Sequence, residues 1–213
     1  MTQVSFFDGL IRVNFRKIAF FGKYFKVEEL IEQHQYFDGS MSDPYCWQIS
    51  RRKPFVTVLI YIVPTDEIVL VEQFRPATMK FEDLAKNVPY KQSGRTLELV
   101  AGGIGNDTPE QCARREALEE AGYKLDQIFK MPGAFLSPGG TDEYGFLFFA
   151  PVMQRDPESG QGGGLREENE DIRVHLIKFR DALAMVMSGE IVDLKTQAGI
   201  LLGEKFRKEN LVK

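Results

Sequence analysis

Residues 101–123 read AGGIGNDTPEQCARREALEEAGY, and this stretch decides how the rest of the chain is interpreted. Glu116, Glu119 and Glu120 are three and four positions apart, so a helix would bring them to one side. Each like-charge pair at this spacing costs roughly 0.2–0.5 kcal/mol in an isolated helix. A divalent cation would offset the repulsion, because Mg²⁺ takes carboxylate oxygens as ligands. The other interpretation is an acidic helix face that is merely solvated.

The ends of this helix are marked in the sequence. Thr108 is a candidate N-cap, Pro109 falls at the first helical position, and Gln111 completes a T-x-x-Q capping box. Gly122 stands where a left-handed C-cap residue is expected. The pattern therefore predicts a helix fixed at both ends, which is what rigid placement of metal ligands requires. The residues predicted to pack inward are Cys112, Ala113, Ala117 and Leu118.

The segment resembles the Nudix box, the signature of hydrolases that act on nucleoside diphosphates linked to another group. The box reads G-x5-E-x7-R-E-U-x-E-E-x-G-U, where U is a large or aliphatic apolar residue. The second half matches at its polar positions, which are Arg115, Glu116, Glu119, Glu120 and Gly122. The first half departs, because Asp107 stands where the family has Glu and only four residues separate it from Gly102.

The resemblance implies an α/β fold, the Nudix α/β/α sandwich around a mixed sheet. We expect residues 1–53 to form an N-terminal antiparallel β extension and residues 54–213 to form the hydrolase domain. The strands predicted from β-rich runs cover 25–37, 54–63, 67–74, 97–101, 145–152 and 172–179. Helices are predicted at 180–188 and 194–208, and the polar segment 79–95 is predicted to be a loop.

Composition excludes several classes of protein. The 213-residue chain is 43% hydrophobic, which is enough for a core. Its net charge of −4 argues against general electrostatic binding to nucleic acid. We expect no membrane association, because no run of about twenty apolar residues occurs. Cys46 and Cys112 lie far apart without metal-ligand spacing. No signal-peptide pattern is recognised, so the expected compartment is the cytoplasm.

The family resemblance also implies roles in catalysis. Mg²⁺, with Mn²⁺ as a substitute, would be held by Glu116, Glu119, Glu120 and the backbone carbonyl of Ala101. Metals that bridge the oxygens of a diphosphate stabilise the charge that develops during hydrolysis. Arg115 and Gly102 are assigned structural roles. A loop glutamate would serve as the base, and Glu168 occupies the matching place, with Glu167 and Glu170 as close competitors.

Motifs outside the box resemble those of ADP-ribose and nucleotide-sugar pyrophosphatases. They are VEQFRPA (71–77), FLSPGGTDE (135–143), GGGLREENEDIRV (162–174) and GEIVDLKT (189–196). The substrate-binding residues that this resemblance implies are Arg75, Glu143, Tyr24, Trp47, Arg51 and Arg52. The resemblance further implies a homodimer that exchanges N-terminal strands.

The leading expectation is hydrolysis of ADP-ribose to AMP and ribose 5-phosphate, favoured by the SPGG segment and the loop of Glu168. The GEIVDLKT motif and the short box loop at Asp107 favour GDP-mannose or another nucleotide sugar instead. A domain that senses ADP-ribose without hydrolysing it is the third interpretation. Such domains usually lose the box acids, which this chain keeps.

Overall fold

A computed structural model describes residues 12–20, 26–78, 94–157 and 162–211, with residues 12–20 and Glu168 described by their backbone alone. Contacts group these residues into two compact units. The first contains the described residues up to Arg52 together with Ser137–Glu143. The second contains the described residues of Lys53–Leu136 and Tyr144–Lys213.

The first unit is built on an antiparallel sheet of three strands, in agreement with the predicted N-terminal extension. The strands are β1 (Arg12–Phe20), β2 (Lys26–Gln33) and β3 (Tyr45–Arg51), and β2 lies in the middle. The segment Ser137–Glu143 joins the end of β3, because Ser50 donates its backbone N–H to the Gly140 carbonyl at 2.8 Å. This part of the FLSPGGTDE motif therefore packs with the N-terminal strands.

The second unit contains a mixed sheet of seven strands. Its main path runs β10 (Arg173–Lys178), β5 (Glu67–Phe74), β4 (Phe55–Ile62), β9 (Tyr144–Val152) and β8 (Phe129–Phe135). The other two strands are β6 (Arg95–Glu98), which pairs with β5, and β7 (Val100–Gly103), which pairs with β4. The sheet is mixed because β4 and β9 run parallel while the other pairs are antiparallel.

Helices cover both faces of this sheet, and the predicted α/β/α sandwich is confirmed. They are α1 (Pro109–Ala121), α2 (Phe179–Ser188) and α3 (Leu194–Asn210). Alternation along β4 decides which core each side chain enters. Val58 packs in the core that includes Ala113 and Ala117 of α1. Leu59, the next residue, packs in the core that includes Ile200 of α3.

Both predicted ends of α1 are confirmed. Thr108 accepts the Gln111 N–H on its hydroxyl at 3.2 Å, and Gln111 accepts the Thr108 N–H on its side chain at 2.9 Å. Gly122 ends the helix with a left-handed φ of 74°, a conformation that glycine adopts without steric cost. One detail was wrong: Leu118 is only half-buried, and Glu120 is buried instead.

Two further predictions need correction. The predicted strand 97–101 is divided into β6 and β7 at Leu99, because the Leu99 N–H donates to the Thr196 hydroxyl at 2.9 Å. Strand β8 was not predicted, since Pro132 and Gly133 interrupt its pattern. Of the predicted loop 79–95, residues 79–93 lie outside the described part and Arg95 begins β6.

None of the described helices is long and apolar enough to cross a membrane.

Candidate active site

Glu120 is a buried acid at the centre of the site. It lies on the inner side of α1 with 2% of its surface exposed, and its carboxylate accepts the Ala101 N–H at 3.1 Å. The pKa of Glu120 is raised to about 8, chiefly by burial, because the Ala101 bond lowers it by less than burial and the charges of Glu116 and Glu170 together raise it. The carboxylate therefore lies against the backbone of β7 without enough positive charge to balance it.

Glu116 occupies the space that the missing side chain of Gly102 leaves open. A Cβ atom built on Gly102 would lie 2.0 Å from the Glu116 carboxyl carbon, far inside van der Waals contact. Burial raises the pKa of Glu116 even though Arg115 lowers it. The sequence assigned Gly102 a structural role, and the contact supplies a physical reason: glycine lets this carboxylate approach the β7 backbone.

Arg115 holds the outer acids of the cluster. Its guanidinium contacts Asp107 at 3.0 Å, Glu119 at 2.7 Å and Glu116 at 2.9 Å. Burial alone would lower the pKa of Arg115, but its bond to Asp107 and the other acids raise it above the ordinary value. Asp107, where the sequence departs from the Nudix pattern, thus serves as a partner of this arginine. Glu119, predicted as a metal ligand, is likewise held by it.

A glycine-rich segment joins the C-terminal end of α1 to the acid-rich loop. Gly163 and Gly164 donate their N–H groups to the carbonyls of Glu120 and Glu119 at 2.9 and 3.0 Å. Gly162 has a φ of +87°, and a Cβ there would lie 2.9 Å from the Ala121 carbonyl carbon. Close backbone contact therefore fixes the start of the loop against the helix that carries the acids.

Glu170 is the loop acid that acts on these carboxylates. Its side chain accepts the Leu165 N–H at 3.0 Å, and its charge raises the pKa of both Glu116 and Glu120. The sequence favoured Glu168, whose backbone lies in the short 3-10 turn Arg166–Glu168 and whose side chain lies outside the described part. Glu167, the other competitor, is exposed. The role of Glu168 stays a prediction.

The donor set fits a hard divalent cation. Among the described residues, no group of three His, Cys, Asp or Glu side chains already forms a compact metal cage. The acids nevertheless offer oxygen donors alone, and burial has raised the pKa of two of them. Mg²⁺ prefers such oxygens and keeps positions for water and substrate phosphates. Glu116 and Glu120 would hold it, with the Ala101 carbonyl as a further donor.

Arg75 is anchored by a buried acid. Two of its nitrogens, Nε and Nη2, donate to the Glu98 carboxylate at 2.8 and 2.9 Å. Lys195 donates to the same carboxylate at 2.6 Å. The charge of Arg75 also lowers the pKa of Glu120, so this predicted substrate ligand acts electrostatically on the acids of α1. Sequence analysis missed Glu98 and Lys195, although an acid inside the apolar string LELVA is the signal that could have revealed Glu98.

The remaining predicted substrate residues belong to the first unit. Arg51 pairs with Glu28 at 2.7 Å and with Asp142 at 3.0 Å. Arg52 pairs with Glu143 at 3.3 Å. Trp47 is 42% exposed on β3, and its ring centroid lies 5.9 Å from that of Tyr45. Tyr24 lies outside the described residues. The structure thus brings together Arg52 and Glu143 in one unit, and Arg75 and the box acids in the other.

Comparisons with known proteins agree with this arrangement. A sequence model of the NUDIX domain matches residues 53–191. A GDP-mannose pyrophosphatase of Yersinia pestis (strain Pestoides F) is 42% identical over 140 residues, which cover 66% of this chain and 65% of that protein. One of Shigella flexneri is 39% identical over 140 residues, covering 66% of this chain and 68% of that protein.

A structural comparison supports the fold alone. The crystal structure of an ADP compounds hydrolase superposes with a TM-score of 0.69 at 13% sequence identity. The match covers 95% of this chain and 97% of that one.

The contact between Gly102 and Glu116 predicts that a methyl group added at Gly102 weakens Mg²⁺ binding, whereas one added at Gly103 does not. Gly102→Ala will displace the Glu116 carboxylate and lower Mg²⁺ affinity, measured by titration calorimetry, about 10–100-fold, the usual effect of disturbing the support of a ligand. The control is Gly103→Ala, because a Cβ on Gly103 would meet nothing within 4 Å. Equal Mg²⁺ affinity in the two variants would contradict the account.

The raised pKa of Glu120 predicts how stability depends on pH without metal. Folding raises this pKa from 4.5 to about 8, so the folded protein keeps a proton that the unfolded chain loses in this range. Stability therefore falls as pH rises from about 4.5 to about 8. Glu120→Gln should remove this loss and raise the free energy of unfolding at pH 8.5 by on the order of 1–3 kcal/mol.

Urea unfolding in EDTA at pH 4.5 and pH 8.5 measures the effect. The two proteins should be similarly stable at the lower pH, where Glu120 is neutral. Glu119→Gln is the control, because it removes an acid that Arg115 already pairs. A lower stability of Glu120→Gln than of wild type at pH 8.5 would show that Glu120 is not an unbalanced charge.

Proposed function

This chain belongs to the Nudix family, and we propose that it hydrolyses the pyrophosphate bond of GDP-mannose to GMP and mannose 1-phosphate. The observation that carries the hydrolytic part is that the buried Glu120 and the half-buried Glu116 are packed against the backbone of β7. The choice of substrate is supported by the relatives that are 39–42% identical and are named GDP-mannose pyrophosphatases.

The chemistry follows from charge. The diphosphate of a nucleotide sugar carries two negative charges, which repel an attacking water and its lone pairs. When bound, Mg²⁺ would neutralise phosphate charge and lower the pKa of a coordinated water. Glu116 and Glu120 would hold the cation, because burial raises their pKa values despite the positive charge near them. Arg75 contributes a guanidinium suited to phosphate oxygens, held in place by Glu98.

A loop carboxylate removes the proton of the attacking water. We assign this role to Glu170, because its charge raises the pKa of both Glu116 and Glu120. Its carboxylate is also held by the Leu165 N–H, so its position is fixed relative to the glycine segment that contacts α1. A positioned base of this kind contributes about 10²–10⁴-fold to the rate.

The substrate choice revises the leading expectation from sequence motifs. The SPGG segment favoured ADP-ribose, while GEIVDLKT favoured GDP-mannose, and the relatives support the second. The ADP compounds hydrolase is too distant, at 13% identity, to inform the choice. A sensor that binds without hydrolysing is the weakest candidate, because Glu116, Glu119 and Glu120 are all present.

A product assay with Mg²⁺ tests the proposal directly. Purified protein is given GDP-mannose, ADP-ribose, ADP-glucose and UDP-glucose side by side, and the nucleoside monophosphates released are separated by chromatography. We expect GMP from GDP-mannose with a kcat/KM at least about tenfold above that for any other substrate, equal to about 1.4 kcal/mol of discrimination. A preference for ADP-ribose would overturn the substrate choice. Turnover of none of them would overturn the hydrolytic proposal.

The identity of the base is tested by comparing two single variants. Glu170→Gln should lower kcat by about 10²–10⁴-fold, because it removes the proton acceptor but keeps the side-chain shape. Glu168→Gln should lower kcat by no more than a few-fold. Steady-state kinetics with GDP-mannose at saturating Mg²⁺ measures both. A larger loss in Glu168→Gln would restore the assignment that the sequence favoured.

A further inference from the structure

Two buried acids in the second unit have closely matched partners. Glu67 begins β5, is 7% exposed, and contacts Arg155 at 3.2 Å and Lys178 at 3.3 Å, with the Thr65 hydroxyl at 2.7 Å. Glu98 lies on β6 beside Val71 of β5 and is 2% exposed. It too is surrounded by an arginine, a lysine and a threonine hydroxyl, which are Arg75, Lys195 and Thr96.

The bonds to Glu98 use both of its oxygens. Oε1 accepts from Arg75 Nε at 2.8 Å and from Thr96 at 2.6 Å. Oε2 accepts from Arg75 Nη2 at 2.9 Å and from Lys195 at 2.6 Å. Burial alone would raise the pKa of Glu98, but Arg75 and Lys195 outweigh burial and lower it to about 2. The acid therefore stays ionised and its bidentate pair with Arg75 persists at neutral pH.

This pairing fixes the plane of the Arg75 guanidinium. The group has five N–H donors in a rigid fork, and Glu98 uses one on Nε and one on Nη2. Within the described residues, Nη1 of Arg75 makes no hydrogen bond, so the far edge of the fork keeps its donors. The charge of this arginine already reaches Glu120, whose pKa it lowers. An oriented guanidinium whose charge reaches a predicted cation-binding acid suits a phosphate group.

The same carboxylate also reaches the beginning of α3. Lys195 bonds both Glu98 and Asp193, the residue that caps α3. The Thr196 hydroxyl accepts the Leu99 N–H, two residues before Ala101. One buried acid thus connects the end of β5, strand β6 and the N-terminus of α3.

We propose that Glu98 is a positioning residue of the hydrolytic site, which orients Arg75 towards the substrate diphosphate without contacting the substrate itself. The inference rests on the proposed function, because it requires a diphosphate substrate at the acids of α1. It differs from a purely structural role, since Glu67 has the same chemistry at the beginning of β5, whereas Arg75, the partner of Glu98, follows the end of that strand.

The test compares Glu98→Gln with Glu67→Gln in the full chain. Both variants lose a buried acid with two basic partners, so their melting temperatures should fall by similar amounts. Glu98→Gln should raise KM for GDP-mannose at least about tenfold and change kcat less than about threefold. Glu67→Gln should leave both constants within about twofold of wild type. If Glu98→Gln does not fold, Glu98→Asp replaces it in the test. This variant keeps the charge but shortens the side chain, and the same changes in KM and kcat are expected.

A double variant separates positioning from other roles. If Glu98 acts through Arg75, adding Glu98→Gln to Arg75→Ala should raise KM no further, so the two effects are strongly non-additive. Additive effects, or an equal KM in Glu98→Gln and Glu67→Gln, would overturn the inference. A wild-type protein that hydrolyses no nucleotide sugar would overturn the proposed function instead. Calorimetric titration with inorganic pyrophosphate and Mg²⁺ then decides the inference, which predicts at least tenfold weaker binding by Glu98→Gln.

Discussion

The hydrogen bond between the buried Glu120 carboxylate and the Ala101 N–H is the interaction on which the site depends. It connects the middle of the sheet to α1, and the Gly163 N–H connects the carbonyl of the same residue to the acid-rich loop. Gly102 beside Ala101 leaves the space that Glu116 fills. A strand, a helix and a loop distant in sequence are therefore joined at one residue.

Charge explains why this place would bind a cation. Arg115 balances Asp107 and Glu119 on the outer side of α1, and Glu98 balances much of the charge of Arg75. Glu116 and Glu120 have raised pKa values, because burial and, to a lesser degree, the charges of neighbouring acids outweigh the effects that lower them. The capped helix α1 holds these acids in place despite this imbalance of charge. The same imbalance favours a divalent ion that carries the charge the acids lack.

Much of this could be predicted from sequence, because the signals are local. The capping box, Pro109 and Gly122 determine α1 within one stretch of chain, and the β-branched runs determine β4 and β5. The contacts that were missed depend on tertiary structure. Glu98 meets Arg75 across 23 residues and Lys195 across 97, and no local pattern records either pair. The break at Leu99 likewise depends on a hydroxyl from α3, and the grouping of Ser137–Glu143 with β3 on a bond between distant backbones.

A calorimetric titration of the wild-type protein with Mg²⁺ at pH 8, beside the variant Glu116→Gln/Glu120→Gln, tests the central claim most directly. It needs no substrate, so it examines Glu116 and Glu120 apart from the choice of nucleotide sugar. The account predicts saturable binding by wild type and its loss in the variant, with the variant folded and at least as stable in EDTA. Equal binding by the two proteins, or no binding by wild type, would contradict the claim that these acids form the metal site.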